Sequence, residues 1–214
     1  RTGHRILERY GMTETNMNTS NPYDGERRAG TVGFALPGVE VKICDPETGA
    51  TLPQGEIGVL EVRGPNVFKG YWNMPEKTRE ELREDGFFIT GDLALIDADG
   101  YVQIVGRGKD LIISGGYNIY PKEIELFLDT LPGVRESAVI GAPHPDFGES
   151  VVAVLVREGA ASLDLDAINE AVRENLAGFK RPRVIDVIDA LPRNTMGKVQ
   201  KNQLRETYAG VFQS

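Results

Sequence analysis

Four short segments of this 214-residue chain carry side chains that can handle phosphate, diol, metal and acyl groups. The first is Tyr10-Gly11-Met12-Thr13-Glu14-Thr15, read as following a strand over residues 6–9. An aromatic ring can cover a purine face. Small and hydroxylated residues let the backbone and Thr13 approach phosphate, and Glu14 offers a hard oxygen for Mg2+. The second is Thr90-Gly91-Asp92, placed where an apolar strand ends; a carboxylate's two acceptor oxygens match the two hydroxyls of a cis-diol. The third runs over residues 106–125. There Arg107 can reach a ribose or a phosphate, and Gly115 and Gly116 permit backbone shapes that side chains forbid. The fourth is Pro192-Arg193-Asn194-Thr195-Met196-Gly197-Lys198. A lysine is a point charge on a flexible stem, suited to the charge that develops where phosphate oxygens meet a carboxylate. Taken singly, each segment is more readily a turn, a linker or a solvated loop.

Other chemistries are excluded. There is no G-x-x-x-x-G-K-[ST] phosphate loop, because Gly197-Lys198 is followed by Val199, and there is no G-x-S-x-G elbow. His4 and His144 are far apart in sequence and lack cysteine partners, which argues against zinc. The single cysteine, Cys44, cannot form an internal disulfide and reads as a small buried hydrophobe in a strand.

The elements that must position these segments follow from periodicity and turn chemistry. Residues 1–106 show strand signals at 39–44, 56–63, 87–90 and 101–105, separated by Asp-Pro, Thr-Gly, Asp-Gly and similar turns. One charged helix is expected over 76–84, after Pro75. This part reads as mostly β, a distorted barrel or a sheet belonging to a larger domain. Residues 107–214 alternate differently. A hairpin around Gly115-Gly116 precedes a helix opened by Pro121, with Ile124, Phe127, Leu128 and Leu131 on one face. Strands at 135–141, 150–157 and 184–188 and helices at 166–177 and 202–208 complete a small α+β unit with a three-stranded sheet. The whole is thus α/β in class (α+β in arrangement), with boundaries expected at 1–106, a hinge at 107–110, and 111–214.

A net charge of −8 argues against a nucleic-acid binder. A local basic stretch, Lys180, Arg181, Arg183, Arg193, Lys198, Lys201 and Arg205 against Asp186 and Asp189, fits either a compact phosphate-rich ligand or a solvated basic face. The longest apolar run, 151–156, is too short to cross a bilayer, no secretory leader is visible, and the cytoplasm is expected. The opening Arg-Thr-Gly-His-Arg has no initiating Met, as expected for a cut through a larger protein.

In conjunction and in this order, the four segments resemble the adenylate-forming superfamily of acyl-CoA synthetases, peptide-synthetase adenylation domains and beetle luciferases. The resemblance extends through Gly55-Glu56-Ile57-Gly58 and Gly70-Tyr71-Trp72-Asn73. Within it, Glu8-Arg9-Tyr10-Gly11-Met12-Thr13-Glu14-Thr15-Asn16-Met17 and Arg28-Ala29-Gly30-Thr31-Val32-Gly33 look most like bacterial malonyl-CoA synthetases.

The resemblance implies an ATP-dependent ligase that joins a small carboxylic acid to coenzyme A through an acyl-adenylate. Malonate is the favoured acid, with methylmalonate, or the transfer chemistry of a peptide-synthetase adenylation domain, as alternatives. It implies that Tyr10, Gly11, Met12 and Thr13 contact ATP, Glu14 binds Mg2+, and Asp92 and Arg107 hold ribose and phosphate. Lys198 would be the catalytic lysine, Lys109 the hinge, and Ser114, Gly115, Gly116 and Tyr117 would meet CoA. Asn16 and Met17 would border the acyl pocket, with Arg28 considered for a second carboxylate. The family's Ser/Thr/Gly-rich phosphate loop lies upstream of the Tyr-Gly-Met-Thr-Glu segment, so the chain alone is expected to be inactive. Lys198 also resembles the acetylated lysine of related synthetases, implying a lysine acetyltransferase and deacetylase as partners.

Overall fold

The computed structural model describes residues 3–159 and 163–213. They form two compact units, Arg1–Gly108 and Lys109–Ser214.

The first unit holds two antiparallel sheets. Strands β1 (Arg9–Met12), β2 (Asn16–Ser20) and β3 (Phe34–Ala35) make one, in that order. Strands β4 (Glu40–Cys44), β5 (Gly58–Arg63), β6 (Phe88–Ile96) and β7 (Val102–Arg107) make the other, a meander. Helix α1 (Pro75–Glu81), between β5 and β6, buries none of its residues. It begins at a proline, whose fixed φ and missing N–H suit a first helical position. The core is made by Ile43, Leu60, Val62, Ala94 and Val102, with Tyr10 packed against them.

Two expectations are corrected here. The strand expected over 6–9 begins instead at Arg9, because its partner β2 ends at Ser20, directly opposite Arg9. Tyr10-Gly11-Met12 therefore lies in a strand rather than after one. Asp92 does not end a strand but sits inside β6, opposite Arg107 of β7. Opposite the single residue Leu60 of β5 stand three residues of β6, Thr90, Gly91 and Asp92, since Val59 faces Leu93 and Glu61 faces Ile89. Gly91 makes this bulge affordable with φ +71°, a value side chains resist.

The second unit is a mixed sheet with helices on both faces. Strands β8 (Ile112–Ser114) and β9 (Tyr117–Ile119) form the hairpin. Helix α2 (Pro121–Leu128) follows, then β10 (Val134–His144), β11 (Gly148–Arg157), α3 (Leu165–Asn175), β12 (Val184–Ile188) and α4 (Lys201–Tyr208). β10 pairs antiparallel with β11. The opposite edge of β11 takes β12 in parallel over Val152–Val156, and β8 at Gly148. The sheet therefore has five strands, not three, because the hairpin joins it through Gly148 and Ser114.

The apolar run of β11 is explained by burial on both faces. Val151, Ala153 and Leu155 pack with residues of α2 and α3, while Val152, Val154 and Val156 pack with Leu191 and with Leu204 of α4. Alternation of side chains across a strand makes a continuous apolar sequence the signature of such a two-sided position. No helix among the described residues is long and apolar enough to cross a membrane.

Candidate active site

In the first unit the geometry converges on Asp92, which is 4% exposed. The bulge is fixed by Thr90, whose Oγ1 donates to Leu60 O at 2.8 Å and accepts from Asp92 N at 3.1 Å. Two groups share the Asp92 carboxylate. Tyr10 Oη donates to Oδ2 at 2.6 Å, and Arg107 Nε lies 3.0 Å from Oδ1. Burial, and then the adjacent carboxylate, push the Tyr10 phenol up, so it remains a donor. Tyr10 also approaches Met12 Sδ at 3.8 Å. The resulting corner has a buried acceptor, an aromatic ring and a half-exposed guanidinium, which together suit a hydroxylated, anionic, flat-ringed ligand.

The turn leading out of β1 is held by a neighbouring segment. Gly11 approaches β2 so closely that a Cβ there would lie 2.0 Å from Asn16 O, which is the physical reason for glycine. Asn16 itself has φ +52°. Asn66 Nδ2 donates to Thr15 O at 2.6 Å, Met17 O at 3.3 Å and Asn18 Oδ1 at 3.0 Å, while Asn16 Nδ2 donates to Asn66 O at 3.3 Å. Phe68 N donates to Glu14 O at 2.8 Å. Thr13 is exposed and Glu14 half-buried. Tyr71 Oη donates to Glu81 Oε2 in α1 at 2.5 Å and lies 3.2 Å from Glu14 Oε1. Burial, then Glu81, raise the Tyr71 phenol, keeping it protonated beside both acids. Asn66 carries no chemical signature in sequence, and the supporting roles of Asn66, Tyr71 and Thr90 emerge only from their contacts. Arg28 is committed elsewhere, to Asp97 Oδ2 at 2.8 Å and Asp99 Oδ2 at 3.0 Å, above the Tyr101 ring.

No group of three or more His, Cys, Asp or Glu side chains among the described residues is arranged to hold a metal. Mg2+ commonly binds through one carboxylate, waters and phosphate oxygens, and the half-buried Glu14 carboxylate is of the kind such binding uses.

In the second unit Gly115 and Gly116 turn the hairpin with φ +56° and +82°. Gly115 N donates to Phe147 O at 2.9 Å and Ile113 N to Glu149 Oε2 at 2.9 Å, so the residues around the β10–β11 turn anchor the hairpin. Ser114, Gly115 and Tyr117 line a cavity of about 380 Å3 with Phe147, Phe179 and Arg183. Tyr117 stacks on Phe179 at 4.6 Å, and Arg183 lies over the Phe147 ring at 4.5 Å. Gly116 is exposed at the hairpin tip and outside this lining. Lys109 is exposed, and the next residue, Asp110, is tied to Arg205 at 2.8 Å.

Lys198 is exposed on the loop before α4, and its ammonium makes no ion pair with another described residue. Its backbone, by contrast, is fixed: Lys198 N donates to Asn194 Oδ1 at 2.9 Å, and Lys198 O accepts from Asn194 N at 3.0 Å. The structure thus gathers Tyr10, Asp92 and Arg107 at one corner, sets Thr13, Glu14, Asn16 and Met17 on the adjoining turn, and gathers Ser114, Gly115 and Tyr117 in the second unit's cavity.

A family model described as AMP-binding enzyme matches residues 1–72, and one described as AMP-binding enzyme C-terminal domain matches residues 123–198. A malonate–CoA ligase of Arabidopsis thaliana is 43% identical over 96% of this chain and 35% of its own length. A long-chain-fatty-acid–CoA ligase of Salmonella typhimurium is 39% identical over 98% of this chain and 37% of its own. The crystal structure of ATP-bound MatB from Rhodopseudomonas palustris is 64% identical, with a TM-score of 0.95 over 99% of this chain and 42% of that one. The chain therefore spans well under half the length of these relatives. With two family models covering more than half of its residues, the chain belongs to the AMP-binding enzyme family.

Proposed function

We propose that this chain is part of an AMP-forming carboxylic acid–CoA ligase that converts malonate, ATP and CoA to malonyl-CoA, AMP and pyrophosphate. The observation that carries the reading is the Asp92 corner. A buried carboxylate flanked by an aromatic phenol and a guanidinium is what recognition of a ribose and its phosphate requires. The similarity to a malonate–CoA ligase favours malonate over methylmalonate.

In the first half-reaction a carboxylate oxygen of the acid attacks the α-phosphorus of ATP. The α–β P–O bond breaks, and pyrophosphate leaves. Asp92 and Arg107 hold the nucleotide, Tyr10 covers its base, and Gly11, Met12 and Thr13 border the phosphates. Asn16 and Met17 border the acid. Lys198 brings positive charge to the transferring oxygens, where it is worth most in the transition state. Mg2+, held by Glu14, would neutralise phosphate charge. In the second half-reaction the CoA thiol attacks the acyl carbonyl, loses its proton, and AMP leaves. The cavity beside Ser114, Gly115 and Tyr117, with its stacked rings and Arg183, suits a phosphate-bearing thiol carrier, with Gly116 completing the hairpin. Lys109 is the hinge of this reading, about which the residues from 111 onward turn between half-reactions. The enzyme is placed in the cytoplasm, and the exposed Lys198 is a target for an acetyltransferase and deacetylase, since acetylation removes the charge the first step uses. An acetyl-lysine mimic at Lys198 that kept full adenylation would overturn that regulatory element.

The test uses an enzyme of the relatives' full length. Malonate-dependent release of pyrophosphate should be strong, weaker with methylmalonate, and absent from residues 1–214 alone. Free CoA should outcompete a carrier protein as acceptor. Sustained turnover by the 214-residue chain, or preference for a carrier protein, would contradict the reading.

A further inference from the structure

The loop that presents Lys198 is built around a side chain with no assigned role. Arg193 pairs with Val199 in an isolated β-bridge, and Gln200 N donates to Pro192 O at 2.8 Å, closing the loop at its base. Within it, Asn194 bonds the backbone of Met196, Gly197 and Lys198. Its Oδ1 accepts from Met196 N at 3.0 Å and from Lys198 N at 2.9 Å, its own N donates to Lys198 O at 3.0 Å, and its O accepts from Gly197 N at 2.9 Å. Gly197 turns the chain with φ +80°. Arg193 Nη1 donates to Gly197 O at 2.6 Å and pairs with Glu136 of β10, tying the loop to the sheet. Beyond the loop, Lys201 Nζ lies 2.6 Å from Glu125 Oε1, which also accepts from Val139 N at 2.9 Å.

The Asn194 bonds fix the backbone of residue 198, and none of these contacts restrains its ammonium. A flexible four-carbon stem delivers a charge to a defined point only when its root is held. We propose that Asn194 is the positioning residue for Lys198: its amide oxygen, by accepting two loop N–H groups at once, sets where the lysine stem begins. The inference rests on the reading of Lys198 given above.

The test is made in the full-length enzyme, with the two half-reactions measured separately. Asn194→Ala should lower kcat for malonate-dependent pyrophosphate release by roughly 10- to 100-fold, the scale of a misplaced catalytic group. KM for ATP and malonate, and thioester formation from supplied acyl-adenylate, should stay within about twofold. Asn194→Ser, whose hydroxyl can accept the same N–H groups, should recover most of the rate. If Asn194→Ala does not accumulate as folded protein, Asn194→Gln displaces the amide by one carbon and should show the same selective loss. Wild-type adenylation in Asn194→Ala or Asn194→Gln, or an equal fall in both half-reactions, overturns the proposal. Lys198→Ala is run alongside. Full adenylation by that variant removes both readings, whereas its loss without any effect at Asn194 removes this one alone.

Discussion

Asp92 and Lys198 stand at opposite extremes of how a fold can hold a charged group. Asp92 is buried mid-strand, and both its oxygens are engaged by named partners. Lys198 is exposed on a loop, with its backbone bonded and its ammonium unrestrained. The first arrangement suits a group that must already be in place when a ligand arrives. The second suits one that must travel to meet charge as it forms. Rigidity at the root and freedom at the tip are separate properties, and the second unit supplies both in one short loop.

This contrast can be broken by experiment. The largest effect is expected from Lys198→Ala, which should slow adenylation by roughly 100- to 1000-fold with little change in KM for ATP. Separate assays of pyrophosphate release and of thioester formation from acyl-adenylate check it, because the latter should survive. Asp92→Ala should instead act on binding, raising KM for ATP by roughly 10- to 100-fold, as lost hydrogen bonds to a charged group would. If Asp92→Ala lowered only kcat, the distinction drawn between the two groups would collapse. Asn66→Ala should cost about 1–3 kcal/mol of stability by orphaning the carbonyls of Thr15 and Met17, read out as a lowered denaturant midpoint.

The smallest effect concerns pH. The Tyr10 phenol is raised in the folded protein, so its contribution to stability is complete below the unfolded phenol value of about 10 and is lost as pH climbs toward the folded value. Tyr10→Phe should therefore flatten part of the stability loss above about pH 10 in alkaline unfolding curves. An unchanged slope would mean that the Tyr10 phenol is not buried beside Asp92 in solution.

The legible parts of the fold are those whose pattern is local. β5, β11 and α3 show plainly in apolar periodicity, and Pro121 marks the start of α2. β2 does not, since its sequence is Asn-Met-Asn-Thr-Ser and its buried Asn18 and Thr19 break the usual apolar rule. Asp92 looked like a strand end because Gly91 normally marks a turn, whereas here it accommodates a bulge within a continuing strand. The residue types at the candidate site were readable from their chemistry. Their juxtaposition was not: Tyr10 and Asp92 are 82 residues apart, and nothing local to either points to the other. The hairpin's entry into the larger sheet was likewise hidden, because it rests on one register pair between Gly148 and Ser114.

Gly11 offers a warning to anyone mapping such a site by substitution. It contributes no functional group, yet the Asn16 carbonyl occupies the space where any side chain would begin. A saturation screen would score this position as harshly as one that handles substrate, because a methyl group there would force the hairpin apart and carry Thr13 and Glu14 with it. Intolerance to replacement at that point measures crowding between two strands and says nothing about what the enzyme holds.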